Sequence, residues 1–119
     1  MNSYKDLIVW QKSFELTKEI YRLTNLFPKN ELYGLTSQLR RASVSIPSNL
    51  AEGFSRKSFK ENGQFISIAF GSTSELETQL LLAKELGYAG ESEFFKADEI
   101  LLEVRKMLNS MLTKFRTKY

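Results

Sequence analysis

The most constraining feature of the sequence is an apolar rhythm toward its C-terminus. Phe94, Ala97, Leu101, Val104, Leu108, Met111 and Phe115 follow 3-4-3-4-3-4 spacing without a polar interruption. Such a repeat draws one continuous apolar stripe along an α-helix and marks a bundle seam. Ile100, Met107 and Leu112 widen the stripe, as expected for a helix covered by more than one neighbour. The N-terminal segment is patterned in the same way. Leu7, Trp10, Phe14 and Tyr21 form one stripe and Val9, Leu16, Ile20, Leu23 and Phe27 a second, with Ser13, Thr17 and Thr24 between them. Lys12, Glu15, Lys18, Glu19 and Arg22 are left for water.

Helical spacing extends along almost the whole chain. Its 119 residues include only 6 glycines and 2 prolines, too little turn chemistry for a many-stranded β fold. Breaks at Pro28, Gly53 to Ser58 and the Gly87/Gly90 pair predict an all-α fold of four helices. Their expected bounds are about 4–26, 30–54, 59–86 and 93–116, within a single domain spanning 1–119. Ser3 with Asp6, Ser58 with Glu61, and Ser92 beside Glu93 are the expected N-terminal caps. Pro47 falls inside the second helix, where it removes the bond to the Ser43 carbonyl, so a kink is expected there, softened by Ser43, Ser45 and Ser48. The run Gly71-Ser72-Thr73-Ser74 lacks a phosphate-loop pattern and reads as a place of close helix packing.

Absences narrow the chemistry. Without cysteine there is no thiolate nucleophile, disulfide or thiolate metal site, and without histidine the commonest general base and metal ligand are also missing. Catalysis would depend on carboxylates, lysines or tyrosines, and these show no convergent acid–base arrangement, so no enzyme and no cofactor are expected. Glu52, Glu75 and Glu77 lie near small-residue stretches, but a dimetal bundle site needs Glu-x-x-His pairs, and salt bridges are the expected use. The longest unbroken apolar runs, LIVW and LLLA, are four residues. A cytoplasmic protein without a membrane segment is the expectation.

The formal charge of +3 conceals segregation. Met1 to Ser74 carries 10 basic and 6 acidic residues, Glu75 to Glu103 carries 2 and 8, and Val104 to Tyr119 carries 5 and 0. The basic concentrations are Arg40, Arg41, Arg56, Lys57 and Lys60, and then Arg105, Lys106, Lys114, Arg116 and Lys118. A polyanion is attracted to either cluster, because phosphate neutralisation releases counterions. The competing explanation is local: C-terminal cations complement the helix dipole, while Arg40 and Arg41 pair with glutamates of neighbouring helices. Broad apolar faces on so short a chain further predict a homo-oligomer.

Four stretches carry a family resemblance: VWQK at Val9 to Lys12, YGLTSQLRRASVSIPSNLAEG at Tyr33 to Gly53, GSTSELETQL at Gly71 to Leu80, and AKELGY at Ala83 to Tyr88. The chain resembles the small proteins encoded by intervening sequences of bacterial 23S rRNA genes. It is similar, within the same broad family, to the accessory variability determinant of diversity-generating retroelements. The resemblance implies a left-handed up-down-up-down bundle and, in relatives, a homopentamer whose basic surface binds nucleic acid and docks a reverse transcriptase. It implies no catalytic residue. The candidate nucleic-acid-binding residues are Arg40, Arg41, Arg56, Lys57, Lys60, Lys114, Arg116 and Lys118. The expected function is therefore an oligomeric accessory protein that holds structured RNA, with a protein-interaction scaffold as the alternative.

Overall fold

The computed structural model describes residues 3–116, and the side chains among them through Phe115. Four helices account for most of these: α1 (Ile8–Thr24), α2 (Leu35–Phe54), α3 (Phe59–Glu85) and α4 (Phe95–Arg116). No strand occurs among the described residues. Each helix packs on the next in the chain, and α4 closes the ring against α1.

Side-chain pairs fix the helix directions. Thr17 and Thr24 of α1 meet Ser43 and Arg40 of α2, so residue numbers rise along one helix as they fall along the other. The same reversal relates Ser45 to Ser72 and Gly53 to Asn62 between α2 and α3. It recurs for Thr73 with Arg105 and Lys84 with Asp98 between α3 and α4. Lys12 pairs with Glu103, and Arg22 with Glu93 just before α4, which makes α4 antiparallel to α1. The result is an up-down-up-down four-helix bundle measuring 44 × 25 × 23 Å.

The seam of α4 lies where its rhythm demands, with Phe94, Ala97, Leu101, Val104 and Leu108 buried. Leu16, Ile20 and Leu23 of α1, Leu39 and Ile46 of α2, and Leu76 and Leu80 of α3 complete the core. Of the two stripes on α1, only the second is the core stripe. In the first, Leu7 and Trp10 are half-buried, while Phe14 and Tyr21 are exposed on the outside. Glu19, expected in water, is instead only 5% exposed, and the Arg22 guanidinium meets its carboxylate at 2.7–2.9 Å.

Helix ends depart from the sequence expectation in three places. Ser3 accepts from the Lys5 amide as expected of a cap, but Tyr4–Asp6 forms a separate 3-10 turn, and extended backbone at Leu7 precedes α1. The region after Pro28 likewise forms a 3-10 turn, Lys29–Glu31, so that α2 begins only at Leu35. Ser92 lies inside the 3-10 turn Glu91–Phe94 and is not at the boundary of α4. The Ser58 cap is present, its hydroxyl accepting from the Glu61 amide at 3.1 Å. At the far end of α3, Gly87 adopts φ of +69°, which glycine reaches without steric penalty. Tyr88 then donates to Ala83 and Gly87 to Lys84, closing the helix with two reversed bonds.

Helix α2 continues through Pro47, whose ring is buried. The Ser43 carbonyl, deprived of its amide partner, accepts from the Thr17 hydroxyl at 2.9 Å, a hydrogen shared with Ser13 O at 3.1 Å in α1. Relief therefore comes from the neighbouring helix, whereas the Ser43 hydroxyl bonds Arg40 O and Ser45 faces Ser72 at 2.8 Å. That last pair, with Thr73 at 0% exposure, is the close packing expected of the Gly71 to Ser74 run. Gly71 itself has open space where a Cβ would stand.

Replacing Thr17 with Val keeps the shape but strands the Ser43 carbonyl. It should lower unfolding free energy by about 1–3 kcal/mol in urea titrations, while Thr17→Ser stays close to wild type. Gly71→Ala should instead raise stability by about 0.5–1 kcal/mol, because it removes backbone freedom from a helix interior without a clash.

Candidate nucleic-acid interface

The antiparallel order brings the end of α2, the start of α3, the end of α4 and the start of α1 to one pole of the bundle. The α2–α3 turn is held from inside. Asn62 donates its amide hydrogens to the carbonyls of Gly53 and Arg56 (3.2 Å to the latter), satisfying groups freed at the end of α2. Glycine permits the close approach. A Cβ at Gly53 would lie 2.8 Å from that of Phe65, and one at Gly63 would lie 2.8 Å from the Phe115 ring. Phe59 and Phe115 pack with ring centroids 4.3 Å apart, tying the first turn of α3 to the last of α4.

This joint carries cations from two distant parts of the sequence. Arg56, Lys57 and Lys60 surround the α2–α3 turn and are exposed, and Lys114 is exposed in the last turns of α4. Arg56 pairs with Glu52 one helical turn earlier at 3.0 Å and lies 5.1 Å over the Phe65 ring. The side chains of Lys57 and Lys60 make no hydrogen bond or ion pair among the described residues, although Glu52, Glu61 and Asp6 stand at the same pole. The C-termini of α2 and α4 end here beside the N-termini of α1 and α3, so the helix dipoles offset one another and the charge of the pole is that of its side chains.

The other two arginines of the predicted set lie elsewhere. From Arg40 to Phe54 the α2 axis advances about 21 Å, so Arg40 and Arg41 sit toward the opposite pole. Arg40 donates to Thr24 Oγ1 at 2.9 Å and Asn25 Oδ1 at 3.0 Å and lies 4.6 Å over the Tyr21 ring. Those neutral groups, where glutamates were expected, hold it in place. Arg41 is exposed and lines a polar cleft with Gln38, Ser45 and Glu75. The Arg116 side chain and Lys118 lie outside the described residues. Arg105 turns inward, donating to Thr73 and Ser74 at 2.8 and 2.9 Å and lying over Phe70 at 4.8 Å.

Sequence reasoning missed two members of the pole, Phe54 and Phe59, each 42% exposed. Their signal was position: an aromatic residue on either side of the Ser55 to Ser58 break has no preceding or following turn to cover it.

The carboxylates expected to form salt bridges do so in part. Glu52 pairs with Arg56, and Glu77 stands 3.9 Å from Arg105. The opposite pole collects Glu31, Glu85, Glu91, Glu93, Asp98 and Glu99, interleaved with Arg22, Lys29, Lys84 and Lys96, and Arg40 and Arg41 lie toward it. Arg22 is raised above its ordinary value, chiefly by its hydrogen bond to Glu19. Tyr88, edge-on to Phe27 at 5.6 Å, is raised above the ordinary tyrosine value by desolvation first and by the nearby Glu31 carboxylate second.

The geometry thus defines a small helical bundle with an exposed cationic cluster at one pole and mixed charge at the other. The family profile of the 23S rRNA-intervening sequence protein matches residues 5–110, and the chain belongs to that family. A crystal structure described as a protein of unknown function from the S23 ribosomal protein family of Bacteroides thetaiotaomicron is similar in fold. It superposes with a TM-score of 0.80 at 24% identity, over 88% of this chain and 98% of its own. No curated protein matches the chain in sequence.

Two measurements test the poles. Gly63→Ala should cost about 1–3 kcal/mol, because the Phe115 ring must move to admit a methyl group. At the other end, a raised Tyr88 pKa means that the neutral phenol favours the folded state. Its contribution is present below about pH 10 and is lost as pH climbs through the raised value. Urea titrations between pH 9 and 11 should show that Tyr88→Phe loses stability less steeply than wild type.

Proposed function

We propose that this bundle is a non-enzymatic, cytoplasmic accessory protein that assembles as a homo-oligomer and holds structured RNA against its cationic pole. The observation that carries the reading is the exposed cluster of Arg56, Lys57 and Lys60 at the pole where α4, with exposed Lys114, also ends. Cations without a protein anion, as at Lys57 and Lys60, are available to phosphate oxygens, and their neutralisation releases counterions. The family description, which concerns an intervening sequence of 23S rRNA, makes RNA the first polyanion to try.

A second reading, docking of a protein such as a polymerase or reverse transcriptase, is favoured by a different surface. Tyr4, Trp10 and Phe14 form a chain of rings 5.0–5.4 Å apart along a groove that includes Val44, Pro47 and Ala51. An apolar groove of this kind suits protein contact better than phosphate. A partner recovered after nuclease treatment and indifferent to charge reversal at the pole would identify that role.

The proposal is tested by titrating nuclease-treated protein into a labelled structured RNA at several salt concentrations. Lys57→Glu, Lys60→Glu and Lys114→Glu together should weaken binding at least tenfold and reduce the slope of log affinity against log salt by about 3. Arg41→Glu, toward the opposite pole, should change affinity by less than about twofold. Circular dichroism checks that each variant folds. Salt-independent binding, or binding unaltered by the triple reversal, overturns the proposal.

A further inference from the structure

The cationic pole contains more than charge. A cleft of about 350 Å³ opens there, within the size range of small-ligand sites. Its floor is apolar, with Leu50 2% and Ile66 7% exposed, and its rim carries Phe54, Phe59 and the Arg56 guanidinium. Phe59 rests against Phe115, and Arg56 lies over Phe65, so both rim groups are held in position by packing.

We infer that this cleft receives an unpaired base of a bound RNA, stacked on Phe54 and Phe59, while Lys57, Lys60 and Lys114 hold the flanking phosphates. The inference rests on the proposed RNA-binding function and narrows its ligand to RNA with single-stranded or extruded nucleotides. Two chemistries side by side argue for it. Exposed aromatic faces bordering an apolar pocket suit a base, whose π-face stacks in a sequence-tolerant way. Arg56 on the rim, with Lys57 and Lys60 in the adjoining turn and Lys114 at the same pole, suits a chain of phosphates better than one anionic headgroup. Duplex RNA keeps its base faces stacked internally and offers this surface phosphates, 2′-hydroxyls and base edges. Of the two forms of RNA, the unpaired nucleotide is the one that can use the apolar half of the site.

The test uses two labelled RNAs with equal numbers of phosphates: a hairpin with 2-aminopurine in its single-stranded loop, and a blunt, fully paired duplex. Wild-type protein should bind the hairpin more tightly and quench its 2-aminopurine. Phe54→Leu, which keeps the pocket apolar but removes the ring, should weaken hairpin binding about fivefold or more and abolish the quench. It should leave duplex binding within about twofold, since the phosphate contacts remain. Phe54→Trp should restore hairpin binding. Lys57→Glu should weaken both RNAs together.

If Phe54→Leu matches wild type on the hairpin while Lys57→Glu weakens both RNAs, the cleft inference falls and the cationic-pole reading stands. If wild-type protein binds neither RNA, both fall. If Phe54→Trp emission responds to oleate but not to the hairpin, the cleft is a fatty-acid site and the inference is overturned.

Discussion

Antiparallel packing around one shared stripe of leucine, isoleucine, valine and alanine governs the rest of this molecule. Burial of Leu16, Ile20, Leu39, Ile46, Leu76, Leu80, Val104 and Leu108 aligns the four helices side by side. Their alternating direction then decides which segments of sequence become neighbours. The end of α2 and the end of α4 are separated by the whole of α3, yet they meet at one pole because each helix reverses the one before. Cations that stand far apart along the chain, Lys57 and Lys60 around the start of α3 and Lys114 near the end of α4, are thereby brought to the same end of the bundle.

The parts of this arrangement that depend on periodicity were legible in the sequence. The α4 seam, the number of helices and the Ser58 cap follow from residue spacing and local hydrogen-bonding chemistry. What escaped was the choice between two comparable apolar stripes on α1. Both are periodic, and only the positions of α2 and α4 determine that Leu16 and Ile20 turn inward while Phe14 and Tyr21 turn outward. The burial of Glu19 escaped for the same reason, since a carboxylate three residues before an arginine reads as a solvated pair. Short 3-10 turns at Tyr4–Asp6, Lys29–Glu31 and Glu91–Phe94 were absorbed into neighbouring helices, because their composition does not distinguish them from a first helical turn.

The candidate interface was half legible. Sequence proximity grouped Arg40 and Arg41 with Arg56 and Lys57, but an α-helix advances 1.5 Å per residue and carries the two pairs apart. Meanwhile the Phe59–Phe115 contact ties the last turns of α4, which carry Lys114, to the pole of the second pair. The arginines nearest in sequence were the wrong neighbours. Arg40 and Arg105 have similar uses: each is laid over an aromatic ring and satisfied by hydroxyl or amide oxygens, which anchors one helix to the next. A count of cations therefore overstates the charge available to a ligand.

The hydroxyl that meets the Ser43 carbonyl has a geometric meaning of its own. A helix without a proline offers a neighbour an uninterrupted cylinder of satisfied backbone, along which the neighbour can slip by one turn and still find similar leucines. Pro47 leaves one open acceptor at a single height on α2, and Thr17 is placed to fill it. The proline thus works as a keyway: it costs α2 one internal bond and gives the pair a unique axial setting, the same setting that decides which residues stand together at each pole.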